Sequence, residues 1–330
     1  MSIRLSLAVE TGGFALPDEG RIAVFHPRSD HDLTQLPKDR LVLIQPMRPE
    51  YDAIAARGYD CRPELPADMT FRAAVVFLPR SKTQARMAVG QAAAATKGPV
   101  LVDGAKTDGI DSIYKALRKL ASPSAPVSKA HGKAFWFDGG DNALAEWLPA
   151  GETLIEGFVT SPGVFSADGI DPASRLLAEA LPAKLGRAVA DLGAGWGYLS
   201  RQILTHDEVE ELHLVEANHD ALTCARQNVD DPRAAFHWAD VRGWKAPVQM
   251  NAVVMNPPFH SGRSAEPELG QAFIAAAAGM LNTSGALWMV ANRHLPYEAT
   301  LAERFAQVEE AAGDNRFKIL HASRPKRLRR

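Results

Sequence analysis

Cysteine is nearly absent: the chain of 330 residues has two, Cys61 and Cys224, far apart. No disulfide framework, zinc ribbon or C-x-x-C redox pair is available, no metal is expected, and a reducing, cytoplasmic setting fits best. Long apolar runs are equally scarce. The uncharged stretch from Leu269 to Asn292 is interrupted by Asn282-Thr283-Ser284-Gly285, so it reads as helix, turn and strand rather than a membrane span. The segment from Met1 to Gly13 carries Glu10 and lacks the apolar core of a secretory signal, so export is not expected. Neither charge sign dominates, since 37 Lys and Arg against 39 Asp and Glu leave a net −2.

The chain is 46% hydrophobic and 23% charged, ordinary for a globular protein and unlike a disordered or collagen-like one. Its length predicts two domains. The charge is unevenly spread. Arg80 to Lys133 holds ten basic and three acidic residues, and Arg316 to Arg330 seven and none, while residues 161–315 hold eleven and twenty. Two basic regions therefore flank an acidic body, a pattern compatible with a polyanion held beside the chemistry, although each run alone is also ordinary solvated surface.

The second half alternates strands and helices. Strands are expected at Ala188–Asp191, Leu212–Glu216, near Ala235–Trp238, at Ala252–Met255 and at Ala286–Ala291, with helices opening at Gly197 and covering His219–Asn228 and Glu268–Leu281. That order predicts a doubly wound, mainly parallel α/β sheet, whose ligands bind at the carboxyl ends of the strands. The first half repeats it less sharply, with strands at Arg21–Phe25, Leu41–Ile44, Ala73–Phe77 and Pro99–Val102 and helices near Gln84–Thr96 and Ile110–Leu120. The halves read as an internal duplication. Ser122-Pro-Ser-Ala-Pro126 is a turn-rich break, and Ala134–Phe137 and Thr153–Val159 read as strands leading into a second domain, giving domains 1–155 and 156–330.

Asp191-Leu-Gly-Ala-Gly-Trp-Gly197 follows the first strand of the second half and opens a helix. Glycines let the backbone approach a ligand, and the helix start offers free N–H groups. The spacing is not the G-x-G-x-x-G of dinucleotide binders, and Asp191 suits a ligand bearing an ammonium group. Glu216 at the next strand end is placed to accept ribose hydroxyls, and Asp240 after the third to accept from an adenine amine. This ordered set, with Gly193, Ala194, Gly195, Gly197, Ala217 and Val241, describes S-adenosylmethionine, although either later acid alone is an ordinary surface residue.

Asn256-Pro257-Pro258-Phe259 follows the fourth strand at the same edge. An exocyclic amine on a base is a poor nucleophile because its lone pair is delocalised into the ring. Accepting its hydrogens on the Asn256 side-chain oxygen and the Pro257 carbonyl favours a pyramidal nitrogen, Phe259 can stack on the base, and Pro257 and Pro258 stiffen the turn. No strong general base is needed. His260, Arg293 and His294 are candidates to approach the pocket but read equally well as structural partners of nearby carbonyls.

These residues make the chain resemble the class I S-adenosylmethionine-dependent methyltransferases of the small methyltransferase group, and more narrowly the ribosomal RNA guanine-N2 methyltransferases of the small and large subunits. The resemblance covers roughly residues 155–320, through Gly163-Val-Phe-Ser-Ala-Asp-Gly-Ile-Asp171, Asp191–Gly197, Asn256-Pro-Pro-Phe-His260, Val290-Ala-Asn-Arg-His-Leu-Pro-Tyr297 and Arg316-Phe-Lys318. It implies tandem Rossmann-like methyltransferase domains, the N-terminal one degenerate, and implicates Phe165 and Ser166 beside the cofactor. Pro172-Ala173 departs from the small glycine-containing turn of that family. The expected reaction is methylation of the N2 amine of a guanine in ribosomal RNA, with 16S RNA of the small subunit as first choice and rRNA or a ribosomal subunit as partner. No feature specifies an oligomeric state, and a monomer is compatible with the sequence.

Aligned by strands, the first half has Phe25-His26-Pro27-Arg28 for Asp191 and its glycines, Gln45 for Glu216, and Leu78-Pro79-Arg80-Ser81 for Asn256–Phe259. Apolar strands survive where the chemistry does not, which predicts a scaffold or RNA grip. Arg80, Lys82, Arg86, Arg118 and Lys119 are the expected phosphate contacts, with the tail Arg324–Arg330 either adding to them or forming a disordered end. A paired or stacked target guanine has to be extruded to reach Asn256. Glutamine-N5 methylation of protein and adenine-N6 methylation are the rival reactions, since both substrates present a planar NH2. The glutamine enzymes usually carry a small helical N-terminal domain, unlike the duplicated fold here. A non-enzymatic RNA-binding protein predicts no cofactor binding at all.

Overall fold

The computed structural model describes residues 3–10, 13–140, 142–149, 151–258 and 267–326. It divides into two compact units, Met1–Thr153 and Leu154–Arg330. In the first, the elements run α1 (Ile3–Glu10), β1 (Ile22–Phe25), β2 (Leu41–Ile44), α2 (Arg48–Ala55), β3 (Asp60–Arg62), β4 (Ala73–Phe77), α3 (Lys82–Ala95), β5 (Pro99–Ala105), α4 (Ile110–Leu117), β6 (Val127–Lys129) and β7 (Gly132–Asp138). A short pair, β8 (Thr153–Ile155) and β9 (Phe158–Thr160), follows at the boundary. The second unit then runs α5 (Pro172–Ala180), β10 (Ala188–Leu192), α6 (Tyr198–Ile203), β11 (Glu211–Glu216), α7 (His219–Asn228), β12 (Ala234–Trp238), β13 (Met250–Met255), α8 (Pro267–Met280), β14 (Leu281–Asn292), α9 (Tyr297–Arg304), β15 (Phe305–Gly313) and β16 (Phe317–Pro325).

Each unit is built on a seven-stranded sheet, ordered β3-β2-β1-β4-β5-β7-β6 in the first and β12-β11-β10-β13-β14-β16-β15 in the second. Five strands of each are parallel, and β7 and β16 join them antiparallel. The identical order is the duplication read from the sequence. Every residue of β1, β2 and β4 is buried, because helices cover both faces and period-two alternation gives way to continuous apolar runs. Ala23 and Phe25 point into one core while Ile22 and Val24 point into the other. Each such buried aliphatic side chain contributes about 2 kcal/mol.

Three expectations change. Ala134–Phe137 lies in β7, paired along β5 inside the first sheet, and so does not lead into the second domain. Thr153–Val159 is a hairpin rather than one strand, because Glu156 and Gly157 both take positive φ (49° and 81°), the twist a two-residue hairpin turn needs. Asn282–Gly285 falls within β14 as a register break, between the pairs Met250 with Leu281 and Ala252 with Ala286. Its turn character persists locally, since the Asn282 Oδ1 accepts from the Ser284 N–H at 3.0 Å. The run from Leu269 to Asn292 thus divides between α8 and β14, and among the described residues no helix is long and apolar enough to cross a membrane.

Helix α1 is tied to the first sheet by an ion pair. The Arg4 Nε donates to the Asp103 Oδ1 at 2.5 Å, and the Asp103 side chain is 1% exposed. Burial raises the Asp103 pKa and the Arg4 charge opposes the rise. Arg4→Met leaves that carboxylate buried and unpaired, and the expected loss is about 3 kcal/mol in urea unfolding at pH 7. A carboxyl whose folded pKa is raised favours the folded state at low pH, so the deficit is expected to shrink as pH falls toward the acid range. A deficit that is flat in pH counts against Asp103 as its source.

Candidate active site

The site forms where β10 ends. Gly193, Gly195 and Gly197 take φ of 76°, 57° and 92°, a left-handed path that is costly for residues with a Cβ. The Val215 carbonyl accepts from the Gly193 N–H at 2.8 Å and the Ala194 N–H at 3.2 Å. This swings the loop toward β11, where the Glu216 carboxylate accepts from the Gly195 N–H at 2.9 Å and the Asn218 N–H at 2.7 Å. Burial pushes the Glu216 pKa up, and these N–H donors work against the rise. The glycines do different jobs. A Cβ on Gly197 would stand 2.9 Å from Val229, whereas one on Gly195 would meet no protein atom within 4 Å. Gly197 is needed for packing, and Gly195 leaves space for a ligand.

Asp191 is fully buried under this loop. Its Oδ2 accepts from the Ser200 hydroxyl at 2.6 Å, and its Oδ1 has no hydrogen-bond partner. Burial raises its pKa to about 7 despite the Ser200 hydrogen bond. Asp240, after β12, is engaged by Arg242, at 2.6 Å from its Nη2. Burial would raise the Asp240 pKa, but the Arg242 guanidinium and backbone N–H outweigh it and hold the carboxyl low. Ala217 follows Glu216 and its carbonyl accepts from the Trp238 indole at 2.9 Å. Val241 is buried in the core behind the sheet.

A cleft opens beside the loop, lined by Gly193, Ala194, Gly195, Phe165, Ser166 and Asn256 together with Asp171, Ser174, Trp196, Tyr198 and Leu199. The Trp196 indole donates to the Phe165 carbonyl at 2.9 Å, which pins the 165–171 segment to the glycine loop. Phe165 remains 63% exposed at the cleft. Asn256 follows β13, with Pro257 buried and Pro258 exposed behind it. Its Nδ2 donates to the Asp171 Oδ2 at 2.9 Å and to the Ser174 Oγ at 2.8 Å. Phe259 and His260 lie outside the described residues. The sequence reading gave no role to Asp171 or Ser174. Asp171-Pro172 is a legible helix start, with Asp at the cap and Pro at the first position, but the contact with Asn256 joins residues 85 apart.

S-adenosylmethionine, expected from the sequence, is compatible with these residues: an open position at Gly195, an orphaned carboxylate oxygen on Asp191 for a cationic donor, and a held carboxylate at Glu216. Asp191, Glu216, Asp240, Ala217 and Val241 do not themselves line the cleft beside Asn256.

In the first unit the ladders shift the strand alignment by one residue at two places. Phe25 pairs with Ile44 and Val76 as Leu192 pairs with Val215 and Met255. Val24 therefore stands for Asp191, His26 for Gly193, Arg28 for Gly195 and Phe77 for Asn256, while Gln45 stands for Glu216. His26 keeps a left-handed φ of 51°, and its N–H bonds the Ile44 carbonyl at 2.9 Å. The rest of the cradle is closed by the unit's own side chains. Gln45 donates to the Pro27 carbonyl at 2.6 Å and accepts from the Met47 N–H at 2.9 Å, His31 accepts from the Arg28 N–H at 3.2 Å, and Glu50 from the Ser29 N–H.

The five basic residues expected to grip RNA are not brought together. Arg80 lies between β4 and α3 and Lys82 opens α3, both at the carboxyl edge of the sheet, whereas Arg118 and Lys119 follow α4 at the opposite edge. Arg86 is part of α3, and its guanidinium lies 5.7 Å from the centre of the Trp147 ring. In the C-terminal basic run, Lys318 is 4% exposed and paired with Glu298, so it is no surface charge. Residues 327–330 of the tail lie outside the described residues. Among the described residues no group of three or more His, Cys, Asp or Glu is placed to hold a metal ion.

The sheet order, the acid and glycine loop on the first strand of the half-sheet and the amide on the fourth define a Rossmann-like methyltransferase. The chain belongs to the methyltransferase small domain family, matched over residues 156–321. It is similar to the ribosomal RNA small subunit methyltransferases C of Shewanella loihica and Shewanella halifaxensis, each 31% identical over 271 residues and 78% of both chains. Among solved structures it is similar to the T. thermophilus 16S rRNA N2 G1207 methyltransferase in complex with AdoMet and guanosine, with a TM-score of 0.79, 25% identity, and 94% of this chain and 90% of that one covered.

Asp191 generates a prediction for the ligand-free protein. Its folded pKa of about 7 lies above the unfolded value, so its contribution favours folding below the unfolded pKa and is lost as pH rises through about 7. Asp191→Asn removes that slope. Melting curves are expected to show the variant several degrees more stable than the parent at pH 8 and converging with it near pH 4; parallel curves would locate the cost elsewhere.

Proposed function

We propose that this protein transfers a methyl group from S-adenosylmethionine to the exocyclic N2 amine of a guanine in ribosomal RNA, in 16S RNA of the small subunit. The observation that carries this reading is Asn256, whose NH2 is engaged by Asp171 and Ser174, so that its Oδ1 is the atom left to accept from an incoming amine. The names of the relatives point to the same substrate. Bound S-adenosylmethionine supplies an electrophilic methyl on a sulfonium. The chain's own residues do the rest: Asn256 Oδ1 and the Pro257 carbonyl accept the amine hydrogens and aim its lone pair, and Phe259 stacks on the base. Glu216 accepts the ribose hydroxyls, Asp191 faces the ammonium group, Asp240 meets the adenine amine, and Gly193, Ala194, Gly195 and Gly197 bring the backbone close. Phe165 and Ser166 border the cofactor. The amine loses its proton to water after transfer, since its acidity rises steeply once it is alkylated and cationic.

Methyl transfer from labelled S-adenosylmethionine to small subunits, large subunits and total protein, with nucleoside mass spectrometry of the product, tests the assignment. N2-methylguanosine in small-subunit RNA is the expected product. Label in protein, or N6-methyladenosine, would overturn the substrate and leave the chemistry at Asn256. Asn256→Ala is expected to lower turnover by about a thousandfold or more while cofactor affinity stays within a few-fold.

The first unit acts as an RNA grip and has no second active site, because its cradle is closed by Gln45, His31 and Glu50. Ligands of such sheets gather at the carboxyl ends of the strands, which favours Arg80 and Lys82 over Arg118 and Lys119. Charge reversal of Arg80 and Lys82 is expected to raise the KM for RNA about tenfold at low salt. Reversal of Arg118 and Lys119 is expected to change it less, and the opposite ranking would move the grip to the other edge.

A further inference from the structure

We propose that Asp171 and Ser174 are positioning residues that fix which way the Asn256 amide faces, an inference that rests on the methyl-transfer reading of this site. An asparagine amide is nearly symmetric in shape and can turn over about its last torsion at little steric cost. Only its partners decide whether oxygen or NH2 faces a substrate. Here the Nδ2 meets the Asp171 Oδ2 at 2.9 Å and the Ser174 Oγ at 2.8 Å. A carboxylate accepts and never donates, so Asn256 can meet it only with its NH2. Both amide hydrogens are consumed on that side, and Oδ1 is turned to the other as an acceptor. In the reverse orientation the NH2 would confront the hydrogens of the substrate amine, donor against donor.

Asp171 is itself fixed. It caps α5, its Oδ2 accepting from the Ser174 N–H at 2.8 Å, with Pro172 at the first helical position. Ser174 is buried on the first turn of that helix. One carboxylate oxygen thus serves the helix start and the amide together, and Asp171 closes the segment that begins at the exposed Phe165. The orientation of Asn256 is set by the same stretch of chain that borders the cleft.

The substitution that separates positioning from folding is Ser174→Ala, which removes one acceptor of the Asn256 NH2 and leaves the Ser174 N–H and its Asp171 cap in place. Its expected effect is a fall in kcat of about tenfold or more, with the dissociation constant for S-adenosylmethionine and the melting temperature nearly unchanged. Asn256→Asp sets two acceptors face to face and is expected to lose turnover. Asp171→Ala removes the oxygen that serves both Asn256 and the helix start, so it is expected to lose at least as much turnover as Ser174→Ala together with a lower melting temperature. A kcat within about twofold of the parent for either Ser174→Ala or Asp171→Ala would overturn the proposal. Hydrogen exchange of the Asn256 side-chain NH2, followed by 15N NMR in the S-adenosylmethionine complex, reads the same bond without any RNA. Slow exchange in the parent that quickens in Asp171→Ala and in Ser174→Ala supports positioning, and exchange that is unchanged in both refutes it. Failure of the parent to methylate guanine would instead defeat the substrate assignment and leave the exchange result standing.

Discussion

The site depends on one hydrogen bond at the end of the central strand, from the Gly193 N–H to the Val215 carbonyl. A strand that simply continued would carry its polar groups out of the sheet. The positive φ at Gly193 turns the chain across the end of β11 instead, so that the next N–H reaches the same carbonyl and Gly195 arrives at Glu216. Everything placed around the ligand space follows from that turn: the open face of Gly195, the helix start behind Gly197, and the indole of Trp196 that fastens the 165–171 segment.

The first unit shows which part of this arrangement belongs to the fold and which to the chemistry. His26 makes the same turn with the same hydrogen bond although it is not a glycine, at a conformational cost of roughly 1 kcal/mol. The turn is therefore a requirement of the sheet. Gln45 occupies the place of Glu216 and holds the loop at the equivalent peptide, donating to its carbonyl where the glutamate accepts from its N–H. One change of acid to amide keeps the loop in place and uses up the groups a ligand would have met.

Much of this was legible beforehand, for physical reasons. Parallel strands buried on both faces leave unbroken runs such as Leu41–Ile44 and Ala73–Phe77, and acids or amides at strand ends stand out against them. The two strands that complete the second sheet left no such signal. β15 lies on the edge and only Phe305 in it is fully buried, with Gln307, Glu309 and Glu310 exposed, so it shows neither period. β16 begins with Phe317-Lys318-Ile319-Leu320 buried in succession, and the lysine, neutralised by Glu298, masks the run. The alignment of the halves slipped by a residue at Asp191 and Asn256, because apolar identity does not fix register whereas ladder pairing does. Clustering of basic residues in sequence did not translate into one patch, since a helix carries its two ends to opposite edges of the sheet.

The comparison of Asp191 with Val24 isolates what a functional site demands of a stable fold. Both positions are fully buried next to the last residue of the central strand. Val24 adds its apolar surface to the core there. Asp191 receives one hydroxyl hydrogen bond and leaves an oxygen without a partner, an arrangement that is unfavourable for the ionised form in an apolar interior. Protonation relieves that cost as pH falls through about 7, and in the reading proposed above the ammonium group of the cofactor does the same. The unpartnered oxygen lies beneath the glycine loop, in the copy of the fold that also keeps Glu216 and Asn256, and the equivalent position in the copy that has closed its cradle is the apolar Val24.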